Sequence, residues 1–67
     1  MERVSVDPEG VTIRLSRLEL SLINNALNEV ANGVDFPDFE FQMRLGESRS
    51  DVRQLLREVG SIYRALD

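Results

Sequence analysis

A chain of 67 residues with neither cysteine nor histidine has no disulfide staples, no ligands for the commonest zinc sites, no imidazole base and no thiolate nucleophile. Its 42% of hydrophobic residues are too many for a disordered chain, yet one domain of this size, residues 1–67, buries only a small core and is marginal without a supplement. The net charge of −4 argues against sequence-independent binding to nucleic-acid phosphate, and self-association into a homodimer is one way to supply the missing stability.

The charge is uneven. Residues 1–43 carry three arginines against eight acidic residues, and residues 44–67 carry five arginines against four. The opening MERVSVDPEG lacks the basic start and apolar run of a signal peptide, and no stretch approaches the roughly 20 apolar residues of a membrane span. A soluble cytoplasmic protein is expected.

Val4 and Val6, then Val11, Ile13 and Leu15, alternate with polar residues, the period of strands with one buried face. Between them, DPEG places Asp, Pro and Gly where a tight turn prefers them. This predicts a β-hairpin over residues 3–15, and because two strands alone are barely stable in water it should lie on helices.

SRLE at residues 16–19 reads as a capping box, so a long helix is predicted over about 17–32, ending with Gly33 in a left-handed conformation. Leu20, Leu22, Ile23, Ala26, Leu27, Val30 and Ala31 form a wide apolar arc; Arg17, Ser21, Asn24, Asn25, Asn28 and Asn32 fall on the other side. Residues 35–45, DFPDFEFQMRL, admit two readings. Phe39, Phe41, Met43 and Leu45 alternate as in a strand over 39–45, whereas Asp35 as cap, Pro37 in the first turn, Arg44 in the last and Gly46 beyond mark a short helix over about 36–45. The boundary residues favour the helix.

Ser48, with Asp51 three residues on, caps a last helix over about 49–65. Val52, Leu55, Leu56, Val59, Ile62, Tyr63 and Leu66 share one arc that stays coherent through Gly60. The whole reads as an α+β fold in which the two long helices close against each other and against the hairpin, leaving rows of arginine and asparagine outside.

Two such rows are candidates for binding a protein partner. Arg49, Arg53, Arg57 and Arg64 fall within about 80° on the last helix, as a solvated face or as a ridge for an acidic surface. Asn24, Asn25 and Asn28 use a poor helix former where Glu or Lys would serve a solvated face better, which fits either accident or a neutral hydrogen-bonding interface.

The stretch RLGESRSDVRQLLREVG has the cadence of a helix-turn-helix, with Arg49, Ser50, Arg53 and Arg57 facing a groove and the motif spanning residues 37–57. Gln42 stands where a small residue lets the helices approach, and Glu47 stands where an apolar residue plugs the turn and brings negative charge towards phosphate. An ordinary helix–Gly–x–Ser–helix corner is the simpler reading. Asp35, Asp38 and Glu40 match neither the spacing nor the glycine of a calcium loop and are accounted for by a helix N-terminus, and no cofactor or metal is expected.

LSRLELSLINNALNEVANG followed by FEFQMRLGESRSDVRQLL resembles a group of short bacterial proteins with no assigned activity that share an LSxxEL…NNALNEVxNG…FEFxxRLGxS pattern. The resemblance covers roughly residues 14–56 and rests on caps and core spacing. It implies a stand-alone bacterial cytoplasmic domain and transfers no functional residue. The residues themselves point to a non-enzymatic protein-interaction module, immunity- or antitoxin-like or regulatory, with a DNA-binding regulator as the alternative.

Overall fold

Turn chemistry and helix caps decide the order of elements in the computed structural model, which describes residues 1–33 and 35–66. Strands β1 (Glu2–Asp7) and β2 (Gly10–Arg14) form an antiparallel hairpin. Its turn is held by the Asp7 carboxylate, which accepts from the amides of Glu9 at 2.9 Å and Gly10 at 3.1 Å. Helix α1 (Arg17–Asn28) passes into a π turn (Glu29–Gly33), and α2 (Asp38–Leu45) and α3 (Arg49–Ala65) follow, so the fold is α+β. The third-strand reading of residues 39–45 is not adopted by the chain.

The predicted capping box forms. Ser16 Oγ accepts from the Glu19 amide at 3.1 Å, and Glu19 Oε1 accepts from the Ser16 amide at 2.9 Å. Glu19 Oε2 also accepts from the Met1 ammonium, tying the start of β1 to the first turn of α1. The Met1 ammonium is the largest cause, ahead of the Ser16 amide, of a Glu19 carboxyl held at about 2 instead of its ordinary 4.5. The ionised form is therefore the one the folded state favours, and its contribution is complete above pH 4.5 and lost as pH falls towards 2. In urea titrations, Glu19→Gln is expected to be less stable than wild type at neutral pH, with the gap closing across that acid window. A gap of constant size down to pH 2 would contradict the pairing.

Two helix boundaries differ from expectation. Gly33 is not left-handed; among the described residues the positive φ is at Gly46. The end of α1 needs no left-handed closure, because its chain continues in right-handed turns and Arg49, from α3, meets the carbonyl of Ala31. Asp35 does not cap α2, which begins at Asp38 directly after Pro37, where the missing amide costs nothing.

Gly46, at φ 80°, closes α2 by donating its amide to the Gln42 carbonyl at 2.8 Å. A Cβ there would touch no neighbour, so the cost of Gly46→Ala is conformational. It should lower the unfolding free energy by about 1–2 kcal/mol, measurable as a shift in the urea midpoint, and an unchanged midpoint would place the turn outside the cooperative fold.

Packing joins α1 to α3, the π turn to both, and α2 to α3. The helices approach closely at Gly60, where a Cβ would lie 3.5 Å from Asn24 Oδ1 and 3.3 Å from the Arg64 guanidinium. Asn24 is accordingly half-buried at the helix contact, and only Asn25, Asn28 and Asn32 of its row are exposed.

Burial is shallow. Leu20, Ala31 and Phe41 are the buried hydrophobic residues among those described. The closure of both arcs on the hairpin is not realised: Leu22, Leu55, Ile62 and Leu66 are exposed, as are Val4, Val6, Val11 and Ile13. Neither strand packs along a helix. The hairpin meets the helices at its base, where Ile13 and Leu15 line a groove with residues of α1 and α3. The molecule is thin, with principal extents of 36 × 32 × 15 Å.

Candidate interaction surfaces

Arg49 is the first residue of α3, immediately after the Ser48 cap, whose hydroxyl accepts from the Asp51 amide at 3.1 Å. A cation there faces the positive end of the helix dipole, which disfavours it unless other groups answer the charge. They do. Its guanidinium donates to the Phe36 carbonyl at 2.7 Å, to Asp38 Oδ1 at 3.0 Å and, at a longer 3.4 Å, to the Ala31 carbonyl. It also lies 4.4 Å from the centre of the fully buried Phe41 ring, within cation–π range.

The arginine thus binds α3 to the end of the π turn, to the loop before α2 and to α2 itself. Phe36 extends the cluster, its ring centre 6.0 Å from that of Phe41 and 5.2 Å from the Arg44 guanidinium. Arg44 in turn donates twice to Glu40 Oε1, at 3.1 and 2.7 Å. Asp38 and Glu40 are therefore engaged by guanidinium groups.

This placement changes the candidate arginine row. The Arg49 side chain is 13% exposed, so its charge is used within the fold, and it leaves both the cationic ridge and the groove-facing set. Arg53, Arg57 and Arg64 remain exposed on α3, as does Ser50. Arg57 borders a shallow depression with Gln54, Glu58, Ser61 and Ile62, where the glutamate offsets the cation. The arginine row outside is thus shorter and less basic than the sequence implies.

The asparagine row is likewise reduced. Asn32 donates to Asn28 Oδ1 at 3.0 Å, one helical turn apart, and Asn25 is exposed nearby. Neither Arg49 nor Asn24 stays with its row, and both are displaced inward by interactions between segments distant in sequence.

The surface features that sequence reasoning missed are apolar. Phe39 and Met43 project from α2 into solvent and, with Gln42 and Gly46, line one depression. Ile13, Leu15, Leu20, Val59, Ile62 and Leu66 line a second, a groove of about 360 Å³ between the hairpin base, α1 and α3. The periodicity had marked most of these residues as core. No helix among the described residues is long and apolar enough to cross a membrane. Comparison with protein-family models, with curated proteins and with solved structures gives no match in any of the three.

Proposed function

We propose that this chain is a non-enzymatic, cytoplasmic protein-interaction module, in the manner of small immunity, antitoxin-like or regulatory proteins. The observation that carries the reading is the balance of apolar side chains: three buried hydrophobics against thirteen large exposed ones among the described residues. Isolated surface hydrophobics are ordinary, but apolar residues that share faces and line depressions mark places where other protein surfaces sit. An acidic body with a net charge of −4 suits a basic partner.

The α2 side offers such a seat. Phe39 and Met43 stand exposed on α2, and Asp35 and Glu47, which flank that helix in the sequence, are exposed as well. Exposed aromatic and methionine side chains are favoured anchors in interfaces. The helix-turn-helix alternative retains the corner at Gly46, but with Arg49 turned inward it has Arg53 and Arg57 to offer phosphate, on a helix that also carries Asp51 and Glu58.

Affinity capture from the source organism, repeated with purified components, tests the reading. Wild type should retain one specific protein, and Phe39→Ser with Met43→Ser should release it while helical circular dichroism is unchanged. Salt-dependent retention on duplex DNA, with no protein retained, would overturn the reading in favour of the nucleic-acid alternative.

A further inference from the structure

We infer that the chain binds a second copy of itself through one continuous apolar face that runs from the hairpin onto the groove between α1 and α3. The inference rests on the interaction-module reading and names one partner for it. The pairing register places Val6 opposite Val11 and Arg3 opposite Ile13, while Ser5 pairs with Thr12 and Glu2 with Arg14. Paired residues share a side and alternate residues point to opposite sides of a strand, so Val6, Val11 and Ile13 share one face, with Arg3 beside Ile13 on it, and the Ser5–Thr12 and Glu2–Arg14 pairs share the other. Among the described residues no element packs on this face, and Val6, Val11 and Ile13 are all exposed.

Ile13 carries this face into the groove, where Leu20 and Val59 form the floor and Ile62 and Leu66 the outer wall, exposed like the hairpin. One face therefore holds both a ridge and a trough, the condition for an isologous pair in which each hairpin lies over the other copy's groove.

The surface area supports a cover of that size. The chain exposes 5413 Å². A compact folded protein of 7.6 kDa exposes about 4,300 Å², an excess of roughly 1,100 Å², against the about 800 Å² that each partner contributes to a standard interface. The radius of gyration of 13.5 Å exceeds the about 11 Å of a compact chain of this length in the same sense.

Two features select a second copy over a different protein. A two-stranded hairpin is barely stable alone, so it gains most from a cover that is always at hand, as another copy is. Two chains of net charge −4 repel, so a self-interface should avoid carboxylates, and neither the valine face nor the groove lining contains one. The polar face of the hairpin and α2 remain outside such a pair, available to a different protein.

Size-exclusion chromatography with light scattering reads the result directly. Wild type should run at twice 7.6 kDa, about 15 kDa, at tens of micromolar. Val11→Lys and Ile62→Lys, both at exposed positions, should halve that mass with helical circular dichroism retained, whereas Phe39→Ser should remain paired. A wild-type mass of one chain at about 100 µM overturns the inference whatever the variants do, and so does an unchanged mass in folded Val11→Lys. If that single chain still captures a specific protein, the interaction-module reading stands without the self-pairing. A pair that captures nothing leaves the self-pairing in place and removes the reading of α2 as a seat for a different protein.

Discussion

Phe41→Ala is expected to destabilise the chain by about 3–5 kcal/mol. Phe41 is the one large side chain buried completely among the described residues, and it packs against Phe36 on one side and the Arg49 guanidinium on the other. A domain of this length has a total stability of roughly 3–10 kcal/mol, so the variant should be largely unfolded at ambient temperature. Phe41→Leu keeps part of the volume and should give an intermediate urea midpoint. Phe39→Ala, one residue pair away but exposed, should stay within about 0.5 kcal/mol of wild type. Equal effects at positions 39 and 41 would contradict the helical assignment of residues 38–45, because a strand would present both side chains to the same face.

Arg49→Ala should cost about 2–4 kcal/mol, more than any other arginine substitution. The side chain meets two carbonyls that terminate local structure, one carboxylate and one aromatic face. Hydrogen bonds from a charged donor contribute about 1.5–3 kcal/mol and a partly desolvated cation–π contact about 1 kcal/mol. The ion pair adds little, because Asp38 is 87% exposed. Arg49→Lys should recover less than half of the loss: an ammonium on a flexible stem is a compact charge and does not reproduce the planar fork that reaches acceptors on three sides. Arg53→Ala and Arg57→Ala should be neutral within about 0.5 kcal/mol. Denaturant midpoints of this arginine series, measured by circular dichroism, check the ranking. A neutral Arg49→Ala would return that residue to the solvent-facing row.

Local chemistry was legible in the residues. Ser16 with Glu19, Ser48 with Asp51, and Asp7 before Pro8 each act over three residues or fewer. The first forms both bonds of its capping box and the third its turn bonds, while Ser48 accepts from the Asp51 amide but the return bond of an Asp capping box does not form. The short helix was legible for the same reason, through Pro37 and Gly46, although the spacing of its apolar residues equally fits a strand. What depends on distant segments was not legible. Arg49 reaches acceptors 11 to 18 residues away, and this removes it from the arginine row and makes a left-handed Gly33 unnecessary. One signal was present: a cation at the first position of α3 stands at the wrong end of the helix dipole, so a partner outside the helix was implied.

The apolar periodicity raises a different issue. It marks Val6, Val11, Ile13, Leu55, Ile62 and Leu66 as residues meant to be covered, and in the folded chain all of them are exposed. Periodicity states which face of an element seeks apolar contact; whether the contact comes from the same chain depends on the reach and number of the other elements. Here one thin layer of helices with a hairpin at its edge leaves several of these faces exposed, and the self-pairing proposed above would cover them with a second copy.

The measurement that bears most directly on that conclusion is the thermal unfolding midpoint as a function of protein concentration. If a second copy completes the fold, a hundredfold increase in concentration should stabilise the folded state by up to about 2.7 kcal/mol and raise the midpoint steadily. A midpoint that stays constant across that range, in a protein with the mass of one chain throughout, would contradict the account.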